Sequence, residues 1–235
     1  MNEISAYMQC FSNKRAVFEC LKSFRKYYPS VAITLVSDGG DDFSEMKQKF
    51  NLIYKYSNQN ILPQGKMCGI DGVEEYFKRI YEHCISVNSE WVFILEEDVI
   101  TLRNINYFPT TECAGPRLNS YSPELTNFLI KNYGDKQYGY GMCGGSIFKR
   151  KSFIDAFNKF LDLKSCVQYD NRITGWSDIP LTLIFHLAGL DYSVWHEISE
   201  KTHPSLPIIR DGAFDHAYKY WYGKEYNLNM LKGEL

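Results

Sequence analysis

Residues Trp91–Ile100 read Trp-Val-Phe-Ile-Leu-Glu-Glu-Asp-Val-Ile. The apolar run Trp91–Leu95 mixes aromatic and β-branched side chains, as a strand buried on both faces does. It then meets three acids in a row. Along a strand side chains alternate, so Glu96 and Asp98 are expected on one face and Glu97 on the other. Three carboxylates at the end of a buried strand repel one another and lose hydration. A divalent cation removes that cost, and hard oxygen ligands favour Mg²⁺ or Mn²⁺ over zinc. The alternative is a solvated acidic loop start.

Outward from this stretch, the chain alternates. Ile70, Val73, Phe77, Ile80, Tyr81 and Cys84 recur at helical spacing just before it. Further back, Ile4–Cys10 reads as a strand and Ala16–Tyr28 as a helix ended by Pro29. Val31–Gly40 reads as a buried strand, Ser44–Phe50 as a short helix and Leu52–Tyr56 as a strand. Strand and helix in alternation predict an α/β fold of a single domain, residues 1–235, with a mostly parallel, Rossmann-like central sheet flanked by helices. Beyond Thr101 the alternation stops. Asn104–Lys136 reads as loops with a helix around Pro123–Asn132, and Tyr138–Lys149 as a glycine-rich turn feeding a strand. Helices are expected at Ser152–Leu163 and Ile179–Ala188, a strand at Asp191–Ile198, and loop from Thr202 to an aromatic segment, Ala217–Tyr222.

Composition excludes several classes. A formal net charge of -2 offers no basic field for nucleic acid. No apolar run is long enough to span a bilayer. Met1–Ala6 is short, carries Glu3 and does not read as a signal peptide. The seven cysteines are odd in number and form no CxxC pair, so they read as reduced, mostly buried thiols. The expectation is a cytoplasmic protein.

The ordered combination of motifs resembles the GT-A glycosyltransferases, notably family 2-like and galactosyltransferase-like enzymes. Glu96-Glu97-Asp98 is similar to their DxD motif, whose acids bind the metal and the donor ribose. Val36-Ser37-Asp38-Gly39 stands where those families place an aspartate near the nucleoside. Phe11-Ser12-Asn13-Lys14-Arg15 stands where their donor loop starts. Gly175-Trp176-Ser177-Asp178 looks like their GW-x-(E/D)-D segment, whose acid is the base in inverting members. The resemblance implies a GT-A-type fold with a nucleotide-sugar-binding half over 1–100. Residues 101–235 would form the acceptor-binding half and the C-terminal tail.

It also implies site roles. Asp98 and Glu96 would hold Mn²⁺ or Mg²⁺. Asp38, Asn13, Arg15, Lys66, Glu96 and Glu97 would bind a UDP- or GDP-sugar. Gly144, Gly145, Ser146 and Trp176 would face a glycan or other hydroxyl acceptor. Asp178 would be the catalytic base, and as the residue before a helix it also reads as a cap. A C-terminal histidine completes the metal shell in many such enzymes. His203 is favoured over His196 and His216, because it sits in a loop before Pro204.

The remaining signals are weaker. Gly139, Gly141 and Gly144 match G-x-G-x-x-G, but no strand precedes them and no helix opens among them, so a dinucleotide site is not expected. A nucleotidyltransferase would carry glycine in the loop after the first strand, and Phe11–Arg15 has none. A non-catalytic sugar-binding protein on the same fold is the other alternative.

Overall fold

The computed structural model describes residues 3–61, 67–199 and 212–216. Strands β1 (Ile4–Cys10), β2 (Ala32–Asp38), β3 (Ile53–Ser57) and β4 (Trp91–Leu95) alternate with helices α1 (Lys14–Tyr27), α2 (Ser44–Lys49) and α3 (Gly69–Ser86). Then come β5 (Val99–Thr101), β6 (Cys113–Gly115), α4 (Pro123–Tyr133), β7 (Ile147–Lys149), α5 (Arg150–Phe157), α6 (Phe160–Cys166), α7 (Asp178–Leu187), β8 (Tyr192–Val194), β9 (Ile198–Ser199) and β10 (Phe214–His216).

The main sheet runs β3-β2-β1-β4-β7-β6-β8. Neighbours β1, β2, β3 and β4 pair in parallel, as do β6 and β8, while β7 runs against both β4 and β6. The sheet is thus mostly parallel and flanked by helices. On β4, Trp91, Phe93 and Leu95 join the core under α1, and Val92 and Ile94 join the core under α3 and α7. That two-sided burial is why the strand reads as an uninterrupted apolar run. From β1 the chain winds outward through β2 to β3, then returns to place β4 on the other side of β1. The crevice beyond the carboxyl ends of β1 and β4 is therefore the switch point of the sheet, where open α/β folds bind ligands.

Five elements depart from expectation. The strand from Trp91 ends at Leu95, and residues 96–98 turn, closed by the Val99 N–H donating to the Glu96 carbonyl at 3.0 Å. Like-charged carboxylates and the second sheet favour the turn over further strand. Beyond it, β5 pairs with β10 in a small sheet ordered β5-β10-β9. The helix expected over Ser152–Leu163 is split into α5 and α6. The strand expected over Asp191–Ile198 is split into β8 and β9, which serve different sheets. And β6 and β10 lie in stretches that read as loop. Each is three residues long and exists because a neighbouring strand receives it.

Candidate functional site

The acidic turn leaves β4 at the switch point. Glu96 is half-buried and Asp98 is fully buried. They converge because the chain turns between them, not because a strand alternates. Opposite them stands His216, at the end of β10. Phe93 packs against Phe214 with ring centroids 4.5 Å apart and against Trp195 at 5.6 Å, both at tilted angles, which fixes β10 over β4. Antiparallel pairing then sets His216 opposite Val99, next to Asp98. The imidazole Nε2 lies 3.5 Å from Asp98 Oδ1 and 3.8 Å from Glu96 Oε2.

Glu96, Asp98 and His216 each offer one ligand atom, all within 4.8 Å of one another. Neither carboxylate oxygen of Asp98 has a hydrogen-bond partner among the described residues. The imidazole stands at 3.5 Å as an ion-pair contact. A buried carboxylate with no such partner is costly, and a divalent cation would remove the cost. The donor set of two carboxylates and an imidazole fits one. For His216, burial lowers the pKa, but the Cys143 sulfur and the Asp98 carboxylate outweigh it, and the imidazole is held well above its ordinary value.

Asp178 opens α7 as its first residue, with Ser177 before it making no side-chain capping bond. Burial pushes its carboxyl above the ordinary range, the Arg117 guanidinium opposes this, and the charge of Glu96 adds to it. Arg117 Nη2 stands 3.8 Å from Asp178 Oδ2. The start of α7 is tied to the glycine-rich segment through Thr182. Its hydroxyl donates to the Asp178 carbonyl and accepts the N–H groups of Gly141 and Met142. Trp176, nearly half exposed, precedes this helix start.

The other expected residues fall as follows. Asp38 ends β2, buried, accepting from Arg79 Nη1 at 2.7 Å and from the Ile61 N–H at 3.1 Å. Asn13 caps α1, its Oδ1 accepting the Ala16 N–H, in a left-handed conformation. Arg15 is exposed and lines a groove of about 350 Å³ with Lys14, Phe18, Glu45, Met46 and Lys49. Glu97 is half-buried in the acidic turn. Ser146 is buried and its hydroxyl accepts the Cys143 N–H at 2.8 Å. A Cβ on Gly144 would come within 3.0 Å of Glu96 and Val99, so what approaches that backbone is the acidic turn itself. Gly139 and Gly141 are crowded by Leu118, Asn119 and Arg117, which accounts for both glycines without a dinucleotide. Gly145 has a left-handed φ of 87°. His196 is exposed. Lys66 and His203 lie outside the described residues. His216 is the histidine brought to the carboxylates among the described ones.

Arg117 and Cys143 entered the site from the fold alone. Cys143 contacts a histidine 73 positions away, and no local pattern marks either residue.

The fold has a solved counterpart. The chain is similar to a galactosyltransferase, LgtC, solved in complex with donor and acceptor sugar analogs. The match covers 98% of this chain and 96% of that one, with TM-score 0.57 and 12% identity. No family model and no curated protein matches the chain. At that identity the likeness is one of fold, and the fold is GT-A-like. Among the described residues, no helix is long and apolar enough to cross a membrane.

Proposed function

We propose that this chain is a metal-dependent glycosyltransferase of the hexosyltransferase type, moving a sugar from a UDP- or GDP-sugar to a hydroxyl acceptor. The observation that carries the reading is the Glu96, Asp98 and His216 cluster at the switch point of a GT-A-like sheet. These three residues would hold Mn²⁺ or Mg²⁺, which supplies charge neutralisation for the diphosphate leaving group. Loops after β1 and β2 receive the nucleotide. Asn13, Arg15 and Glu97 bind it in this reading, as does Lys66, which lies outside the described residues. Asp38 acts there by holding Arg79 and the backbone at Ile61.

The acceptor enters on the side of Trp176 and the Gly144-Gly145-Ser146 turn. Its hydroxyl must lose a proton as it attacks, and Asp178 accepts that proton. Burial raises the affinity of Asp178 for a proton, while Arg117 keeps the ionised form accessible. A direct displacement assisted by a base inverts the anomeric carbon. The test is incubation of the full chain with UDP- and GDP-sugars and Mn²⁺, reading released nucleotide and the anomeric configuration of the product by NMR. Metal-dependent release with inversion is expected. No release with any donor overturns the reading in favour of a non-catalytic sugar-binding protein.

A further inference from the structure

We propose that Cys143 is the positioning residue of the metal centre, holding His216 so that its Nε2 is the nitrogen presented to Glu96 and Asp98; this rests on the metal-site reading above. A histidine that binds a metal through one nitrogen carries its proton on the other, and that N–H needs an acceptor to fix ring and tautomer. Nε2 of His216 faces the carboxylates. Its Nδ1 lies 3.6 Å from Cys143 Sγ. The thiol in turn lies 3.7 Å from the Gly144 carbonyl, which can only accept. The S–H therefore donates to Gly144, and the sulfur lone pair is left to accept the His216 Nδ1–H. That sense of donation makes Nε2 the nitrogen left for a metal.

The sulfur is held as firmly as its role requires. The Cys143 N–H donates to Ser146 Oγ at 2.8 Å, and the Ser146 N–H donates back to the Cys143 carbonyl at 2.9 Å. The Gly145 N–H donates to the Ile94 carbonyl at 2.7 Å, and the Ile94 N–H to the Ser146 carbonyl at 2.9 Å. The turn is thereby bolted to the last residues of β4, directly before Glu96. Its next residue, Gly144, gives the Glu96 side chain its room. One turn of four residues thus sets two of the three ligands relative to each other, through sulfur on one side and a missing Cβ on the other.

The experiment is Mn²⁺ titration of the full chain, followed by the free-ion EPR signal, with circular dichroism checking the fold of each variant. Cys143→Val fills the same buried space without a donor or acceptor, and is expected to weaken Mn²⁺ binding roughly 10- to 100-fold. Cys143→Ser keeps both hydrogen-bonding roles and is expected to restore most of the affinity. Because Cys143 acts through His216, Cys143→Val added to His216→Ala should weaken binding no further than His216→Ala alone. Equal Mn²⁺ affinity in Cys143→Val and wild type, or an undiminished effect in the His216→Ala background, overturns the proposal and leaves the metal reading intact. A wild-type chain that takes up no Mn²⁺ overturns both.

Discussion

Two aspartates end up buried at the carboxyl side of strands in the same sheet, and they are treated oppositely. Asp38, at the end of β2, receives Arg79 at 2.7 Å and the Ile61 N–H. Asp98, just past β4, has no hydrogen-bond partner among the described residues and meets only an imidazole at 3.5 Å. Two further buried carboxylates follow the first pattern. Buried Glu197 has Arg103 at 2.8 Å, and buried Asp170 has Arg172 at 2.8 Å. Burying an ionised carboxylate is tolerable when a guanidinium or amide donors compensate it. Where the fold supplies them, the carboxylate is holding the structure together. Where it withholds them, beside a second carboxylate and a histidine, a divalent cation would supply the missing compensation.

Asp178 lies between these extremes, with Arg117 at 3.8 Å and a raised pKa. The largest expected effect belongs to it. Asp178→Asn should cut sugar transfer by a factor on the order of 10² to 10⁴, because the amide cannot accept the acceptor's proton. Donor and metal binding should barely change. Steady-state kinetics with saturating donor measure this, and near-wild-type transfer would leave Asp178 as a helix-end residue only.

Asp38→Ala tests the compensated end of the comparison. Removing one partner of a buried ion pair typically costs about 3–5 kcal/mol. Arg79 would keep Glu75 at 3.1 Å and Ser57 at 2.8 Å, so the lower part of that range is expected. Urea denaturation gives the value. A variant as stable as the wild type, but defective in nucleotide binding, would move Asp38 into direct contact with the donor.

How much of this was legible beforehand follows the same physics. Strand β1 stands where the apolar run Ile4–Cys10 set it, and β2 lies within Val31–Gly40, because both are buried on two faces by long helices with clear periodicity. Local pattern carries such elements. Strands β6 and β10 have no local pattern to carry them, since three residues cannot show a period, and partners distant in sequence decide them. The site divides similarly. The convergence of Glu96 and Asp98 was readable as a cluster of like charge, though through the wrong geometry, strand instead of turn. Which histidine joins them was not readable, because the choice is made by Phe93 packing on Phe214. Gly144 was expected to face an acceptor, and the group that crowds its backbone is Glu96 with Val99.

A buried titratable group can also be compensated by neutral partners, which gives a pH test. His83 is buried, with Ser5 Oγ at 3.0 Å from Nε2 and Thr34 Oγ1 at 2.8 Å from Nδ1. Burial, with a smaller push from Lys55, lowers its pKa to about 4. Its unfolded value is about 6.5, so the unfolded chain binds the proton first as pH falls. Stability is therefore fully present above the unfolded value and is lost as pH drops from about 6.5 toward 4. The contribution is on the order of 3 kcal/mol across that window. His83→Gln keeps hydrogen bonding to the hydroxyls but cannot titrate. Urea melts at several pH values should show the wild type losing that much more than the variant. Parallel curves for the two proteins would remove His83 from the acid response.

The smallest effect bears most directly on Asp98. If its carboxylate is left uncompensated for a cation, then Asp98→Asn should cost little in metal-free buffer. The substitution removes a buried charge whose partner, the His216 imidazole at 3.5 Å, can shed its proton once the carboxylate is gone, so stability should stay within about 1 kcal/mol of wild type. The contrast appears only when metal is added. A ligand that binds the folded state alone stabilises it by about 2.7 kcal/mol at a concentration 100 times its dissociation constant. The wild type should therefore melt at a higher temperature with Mn²⁺ than without. Asp98→Asn should melt at the same temperature in both, because an amide is a poor ligand and the cluster keeps only Glu96 and His216. Thermal melts followed by circular dichroism, with and without Mn²⁺, make the comparison. An Asp98→Asn variant that unfolds without metal as readily as Asp38→Ala would mean that Asp98 too is a structural carboxylate. The difference between the two ends of the sheet would then be one of hydrogen-bond geometry and not of function.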